Sequence, residues 1–325
     1  MIRRTAGRGW LLGLALATAL VAAACGGTDD NSGGTGGGTQ LSGNIVIDGS
    51  STVAPITEAI AEEFRKEQSG VKATVGTSGT GGGFTKFCNG ETDISDASRA
   101  INDEEKAACA GKNIAYQEFR VGLDGLAVVT SAQNQFLDTL TFEQLAKIFQ
   151  EGGAKTWNQV DPSFPNEKIA IFAPDTESGT YDFFNEEVLG DPAEGGKKPR
   201  SDYTASSDDN TLVQGIEGEA SSWGYFGYAY YQNNKEGLKA IKVAEEGTAG
   251  VEPTTETIES GDYPLSRPLY IYVKDDALKR PEVQQFVKFY LEQTPQLIAD
   301  VGYVAAPQED YTQGLAKLQP FLATS

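Results

Sequence analysis

Three stretches of this 325-residue chain set hydroxyl side chains and glycines between a short apolar run and an amphipathic one. In the first, Ile45-Val46-Ile47-Asp48 leads into Gly49-Ser50-Ser51-Thr52 and then into Val53 to Phe64. In the second, Lys72 to Val75 leads into the glycine-rich segment Gly76 to Gly83, with a helix expected from about Phe84. In the third, Ile169 to Phe172 precedes Asp175-Thr176-Glu177-Ser178-Gly179-Thr180, and Tyr181 to Leu189 reads as helix. A helix N-terminus leaves four backbone N–H groups without partners and carries roughly half a positive charge. Ser and Thr hydroxyls add donors at the same spot, and glycine lets a ligand approach the backbone. One such turn is an ordinary helix cap. Three in one chain point to a shared site for an oxyanion.

The elements that must position these turns alternate strand and helix. The first helix rests on Ile56, Ala59, Ile60 and Phe64 at 3.6-residue spacing. Pro55 falls in its first turn, where a missing N–H costs nothing. The aromatic segment Trp223 to Tyr231 reads as a core strand flanked by glycines, and the acidic run Glu256 to Asp262 as a solvated face.

Absences narrow the chemistry. The chain has no histidine, which removes the Ser-His-Asp triad, the Cys-His pair and nearly every zinc-hydrolase ligand set. After Gly79-Thr80-Gly81 the third glycine of the dinucleotide fingerprint would fall at Phe84, and no Lys-Ser or Lys-Thr follows as in a P-loop. No cofactor, metal site or enzymatic activity is expected.

The N-terminus addresses the chain for export. Arg3, Arg4 and Arg8 precede an apolar run from Trp10 to Ala24, too short for a comfortable membrane span. Ala22-Ala23-Ala24-Cys25-Gly26 resembles a bacterial lipobox, with Ala22 standing where Leu is usual, so Cys25 is expected to be diacylated after removal of residues 1–24. An ordinary secretory peptide with an incidental cysteine is the alternative. Residues 25–40, rich in Gly, Ser and Thr, read as a tether with a reach of roughly 20 Å. Losing residues 1–24 removes three arginines and no acid, shifting the net charge from −20 to −23. Such a surface does not suit nucleic acid. Backbone donors bind anions locally whatever the net charge. Cys88 and Cys109, an even pair in an exported protein, read as a disulfide, with two free buried thiols the alternative.

At this point the chain resembles a family, the periplasmic phosphate-binding proteins of the Pst ABC transporters. Asp48-Gly-Ser-Ser-Thr-Val-Ala-Pro55, Ser78-Gly-Thr-Gly-Gly-Gly-Phe84 and Phe87-Cys-Asn-Gly-Glu-Thr-Asp-Ile-Ser-Asp-Ala-Ser-Arg99 carry the likeness. Asp124-Gly-Leu-Ala-Val-Val129, Thr156-Trp-Asn158 and Ser178-Gly-Thr-Tyr-Asp-Phe-Phe184 continue it in order. Ser201 to Ser206, Gly224 to Tyr230 and Pro264-Leu-Ser-Arg-Pro-Leu-Tyr270 complete it over essentially the whole body.

The resemblance implies an α/β, type II periplasmic-binding-protein fold, two lobes joined by two crossing strands with a ligand cleft between them. Lobe 1 would comprise 41–125 plus 266–325 and lobe 2 126–265, with crossovers near Leu123–Val129 and Leu269–Val273. It implies a non-catalytic monomer that binds inorganic phosphate, works with transmembrane permease subunits and is held by a lipid anchor at the outer face of the bacterial membrane. By motif, Ser51, Thr52, Ser78, Ser178, Gly179 and Thr180 would hold the anion. The best-known branch has an Asp after the second region's Ala-Ser and an Arg four residues before Ser-Gly-Thr. Here those positions are Arg99 and Pro174, so Arg99 is expected to supply the charged fork. Hydrogen phosphate then needs another carboxylate to accept its proton; Asp124 is the first choice, with Asp96 and Glu177 as alternatives. A surface adhesin or a phosphate sensor on the same fold, and a secreted phosphatase, are the competing roles.

Overall fold

The computed structural model describes residues 40–176, 178–190 and 195–322. The expected signal segment, Cys25 and all but the last residue of the tether lie outside the described residues, as does Glu177. Among the described residues no helix is long and apolar enough to cross a membrane.

Strand β1 (Ser42–Gly49) lies parallel between β2 (Gly70–Gly76) and β3 (Ile94–Ala97). Strand Ser266–Lys274 pairs antiparallel with β3 and with β4 (Tyr116–Ser131). Beyond β4 the sheet continues through Ser222–Gly227, Ala170–Pro174 and Thr204–Ser206. β4 and Ser266–Lys274 are therefore the two crossing strands, and β4 is buried without a break from Val121 to Ser131. Buried on both faces, these strands read as continuous apolar runs rather than alternating ones. The buried side chains form separate cores on either side of them. One draws on Ile45–Val121 and returns with Leu269–Leu318. The other spans Leu123–Leu265.

Helix α1 (Ala54–Glu67) buries Ile56, Ile60 and Phe64, as its periodicity requires. Phe64 meets Phe286 of the helix Pro281–Leu297 edge-on at 5.4 Å. Helix α2 (Gly79–Cys88) starts inside the glycine run, five residues earlier than its propensity predicts. Tertiary packing outweighs the entropic cost of its glycines. Phe84, Phe87 and Cys88 are buried, and a Cβ on Gly83 would lie 2.9 Å from the Ser95 hydroxyl oxygen. A disulfide joins Cys88 to Cys109 of α3 (Asp103–Gly111), as expected. In lobe 2, Trp223 and Tyr225 are fully buried, with Tyr225 stacked on Phe184 at 4.0 Å. The strand reading holds to Gly227, after which Tyr228–Asn233 turns into a helix.

The disulfide closes a sequence separation of 21 residues beside the second turn. Replacing both cysteines by serine is expected to lower unfolding free energy by about 3 kcal/mol in the chain-entropy model. Urea denaturation under non-reducing conditions checks this; an unchanged midpoint would contradict it.

Candidate functional site

The first two turns meet at a cavity of 550 Å³ in the cleft between the lobes. From lobe 1 it is lined by Ser50, Ser51 and Thr52, by Gly79, Thr80 and Gly81, and by Ser98, Arg99 and Ala100. Crossing strand Ser266–Lys274 contributes Arg267, Pro268 and Tyr270, and lobe 2 contributes Asp182, Glu186 and Glu187. Gly179 faces the first turn so closely that a Cβ there would lie 2.9 Å from Thr52 Oγ1. The first and third turns thus confront one another across the cleft.

Local capping distinguishes the helices that open on this cavity. Elsewhere, Asn102, Thr141, Thr156 and Thr254 each begin a helix with a reciprocal capping box. α1 begins at Val53 with no side-chain cap. α2 begins at Ser78, whose hydroxyl is donated to Asp48 and does not cap the helix. In α1 the Ala54 amide donates to the Ser50 carbonyl at 3.1 Å, Pro55 has no N–H and the Ile56 amide donates to the Val53 carbonyl at 3.0 Å, so it is α2 that keeps its first backbone N–H groups for another acceptor. The helix Gly179–Phe184 is capped, its Thr180 amide donating to Ser178 Oγ at 3.2 Å, and it passes into a π-turn over Asn185–Leu189. Of the expected turn residues, Ser51 and Thr52 line the cavity, whereas Ser78, Ser178, Gly179 and Thr180 do not. Asp48 also pairs with Lys86 at 2.6 Å; burial opposes, but the bonds from Lys86 and Ser78 hold its carboxyl below the usual range.

Two arginines line the cavity and are held differently. Arg99 forks onto Glu105 at the start of α3, Nη1 at 2.9 Å and Nη2 at 2.8 Å, with its side chain 43% exposed. Arg267 is 13% exposed and stands opposite Asp124 in the antiparallel register of the crossing strands. Its Nε donates to Asp124 Oδ2 at 3.3 Å and its Nη2 to Thr52 Oγ1 at 3.0 Å. Its guanidinium carbon lies 4.0 Å from the ring centre of Phe183 in lobe 2. Asp124 is 1% exposed and does not line the cavity; burial pushes its carboxyl up, and Arg267 draws it partly back.

Sequence reasoning did not single out Arg267, Asp182, Thr80 or Ser98 as site residues. Thr80 and Ser98 share a hydroxyl bond of 3.1 Å at the mouth of α2. Burial pushes up the carboxyls of Asp182 and Glu187, with Arg267 opposing. Asp96 lies beneath the first turn, its backbone carbonyl accepting from the Ser50 amide at 2.9 Å. Its side chain is wholly buried, and neither carboxyl oxygen has a hydrogen-bond partner among the described residues. Complete burial pushes it up to about 8, with Thr57 drawing it down in part and Asp48 and Glu58 pushing it further.

A family model described as a PBP superfamily domain matches residues 34–294. The phosphate-binding protein PstS of Staphylococcus saprophyticus is 43% identical over 311 residues, covering 95% of this chain and 93% of its own. The structure of a possible phosphate-binding protein from Planctomyces limnophilus superposes with a TM-score of 0.82 at 46% identity, covering 87% of this chain and 99% of that one. An ABC-type phosphate transport receptor from Vibrio cholerae superposes at 0.61 with 25% identity, covering 81% of this chain and 99% of that one.

The buried Asp96 makes stability depend on pH. Its folded value, near 8, lies above the ordinary 3.8, so the folded chain retains a proton that the unfolded chain releases. Stability must then fall as pH rises between those values. Asp96→Asn is expected to flatten that decline and to gain about 2 kcal/mol over the parent at pH 8. Thermal melts across pH test it; parallel slopes in the two proteins would contradict the assignment.

Proposed function

Because this chain belongs to the PstS family of phosphate-binding proteins within the PBP superfamily, we propose that it captures inorganic phosphate between its lobes and delivers it, unchanged, to the permease of an ABC-type importer. The observation that carries this reading is the set of uncapped N-terminal amides of α2, opening on a cavity shared with the hydroxyls of the first turn and with cationic side chains. A tetrahedral oxyanion supplies the acceptors those amides lack. Ser51, Thr52, Thr80 and Ser98 add hydroxyl donors from lobe 1, while Arg99 stands at the rim with its fork on Glu105. Gly179 and Thr180 close from lobe 2, with Ser178 holding their helix start. Ser78 would join by exchanging Asp48 for the anion. Residues 41–125 with 266–325 act as one lobe and 126–265 as the other, closing about the crossing strands.

The proton of hydrogen phosphate needs an acceptor. Asp124 is spent on Arg267, and Asp96 lies below the cavity. Asp182 lines the cavity and is the carboxylate this reading selects. A carboxylate there accepts from hydrogen phosphate and repels fully ionised sulfate. In this account residues 1–24 direct export, acylated Cys25 anchors the protein at the outer membrane face, and residues 25–40 tether the body.

Titration calorimetry with phosphate, arsenate, sulfate and molybdate tests the reading. Phosphate is expected to bind tightly while sulfate stays silent, and Asp182→Asn is expected to weaken phosphate about tenfold and admit sulfate. Equal binding of sulfate and phosphate by the parent protein would refute the proposed specificity. Gly179→Val sets a branched side chain against Thr52 and should also cost about tenfold in phosphate affinity by obstructing closure; unchanged affinity would show that the third turn does not approach the first in the bound state.

A further inference from the structure

The geometry points to Arg267, not Arg99, as the principal charge partner of the anion, with Asp124 as the residue that positions it; this rests on the phosphate-binding reading above. A guanidinium has five N–H donors. Arg99 directs both terminal nitrogens to Glu105, and its Nη1 also reaches the Ala100 carbonyl at 3.2 Å. Its charge is matched by a carboxylate that takes both ends of the fork, and its side chain is 43% exposed. A half-exposed pair of that kind offers an incoming anion little net field.

Arg267 is arranged the other way. Asp124 holds Nε from behind, and the Thr52 hydroxyl accepts from Nη2. Nη1 makes no hydrogen bond among the described residues; Glu186 stands 3.6 Å away, beyond hydrogen-bond reach. Three N–H donors, two of them on Nη1, are thus left on a guanidinium that lines the cavity and is mostly shielded from water, where charge acts through a lower effective dielectric. The Phe183 ring presses on the same group from lobe 2, so its plane is fixed before any ligand arrives. Thr52 from lobe 1, Asp124 from β4 and Phe183 from lobe 2 therefore converge on one side chain. An anion bound to Nη1 would bear on both lobes at once.

The third turn, Asp175 to Thr180, carries no lysine or arginine, so the site needs a cation from elsewhere. The crossing strand supplies one within reach of the first turn. Asp124, buried and unable to reach the cavity, is what keeps that cation in place.

Titration calorimetry with inorganic phosphate on Arg267→Lys, Arg267→Gln, Arg99→Gln and the double variant Asp124→Asn/Arg267→Gln tests the assignment. The double variant removes both buried charges together, so no carboxylate is left alone if Arg267→Gln folds poorly. Arg267→Gln and the double variant are expected to lose about 100-fold in affinity, and Arg267→Lys about tenfold because it keeps the charge without the planar fork. Arg99→Gln is expected to stay within about threefold. Circular dichroism and the phosphate-induced rise in melting temperature separate lost binding from lost folding. Folded Arg267 variants that bind like the parent, or a 100-fold loss confined to Arg99→Gln, would overturn the assignment. A parent protein silent toward phosphate would overturn the functional reading and this assignment with it.

Discussion

The pair Asp124–Arg267 is the interaction on which the site's geometry depends. A carboxylate with 1% of its surface exposed cannot stay charged alone, since stripping its water costs several kcal/mol. Arg267 answers it from the facing strand, at the one register position that sets the two residues opposite each other. A slip of one residue would turn both side chains to the wrong faces and leave each charge buried without its partner. The pair therefore fixes the crossing strands against one another. Those strands in turn fix where the two lobes meet.

The molecule shows how an acidic protein can hold an anion. A net charge of −20 spread over a surface is screened within about 10 Å at ordinary ionic strength. Inside the cleft, the nearest sources are the amides that begin α2 and two guanidinium groups. The protein leaves those amides uncapped by committing the Ser78 hydroxyl to Asp48, while four other helices carry capping boxes. The cost in local helix stability is offset by the disulfide at the far end of α2 and by the burial of Phe84 and Phe87.

Much of this was legible in order along the chain. Strand, hydroxyl-rich turn and amphipathic helix follow one another by local rules, and the family resemblance of the motifs implied the fold class before any contact was known. The start of α2 was misjudged because glycine propensity opposes a helix that packing then imposes. The recipient of the Ser78 hydroxyl, Asp48, was hidden because it depends on β1 and β2 lying in parallel register. Arg267 escaped for the same reason: its partner is 143 residues away. A signal did exist. Asp124 lies in one segment read as a crossing strand and Arg267 two residues before the other, charges of opposite sign, and such charges are rarely buried unless paired.

A crystal structure of the protein grown with phosphate is the most direct measurement of the central claim. The account predicts one tetrahedral anion with its oxygens about 2.7–3.2 Å from backbone amides at the start of α2, from hydroxyls of the first turn and from Nη1 of Arg267. An anion seated elsewhere, or a cleft in which those amides and Arg267 face only water while phosphate is bound on another surface, would contradict it.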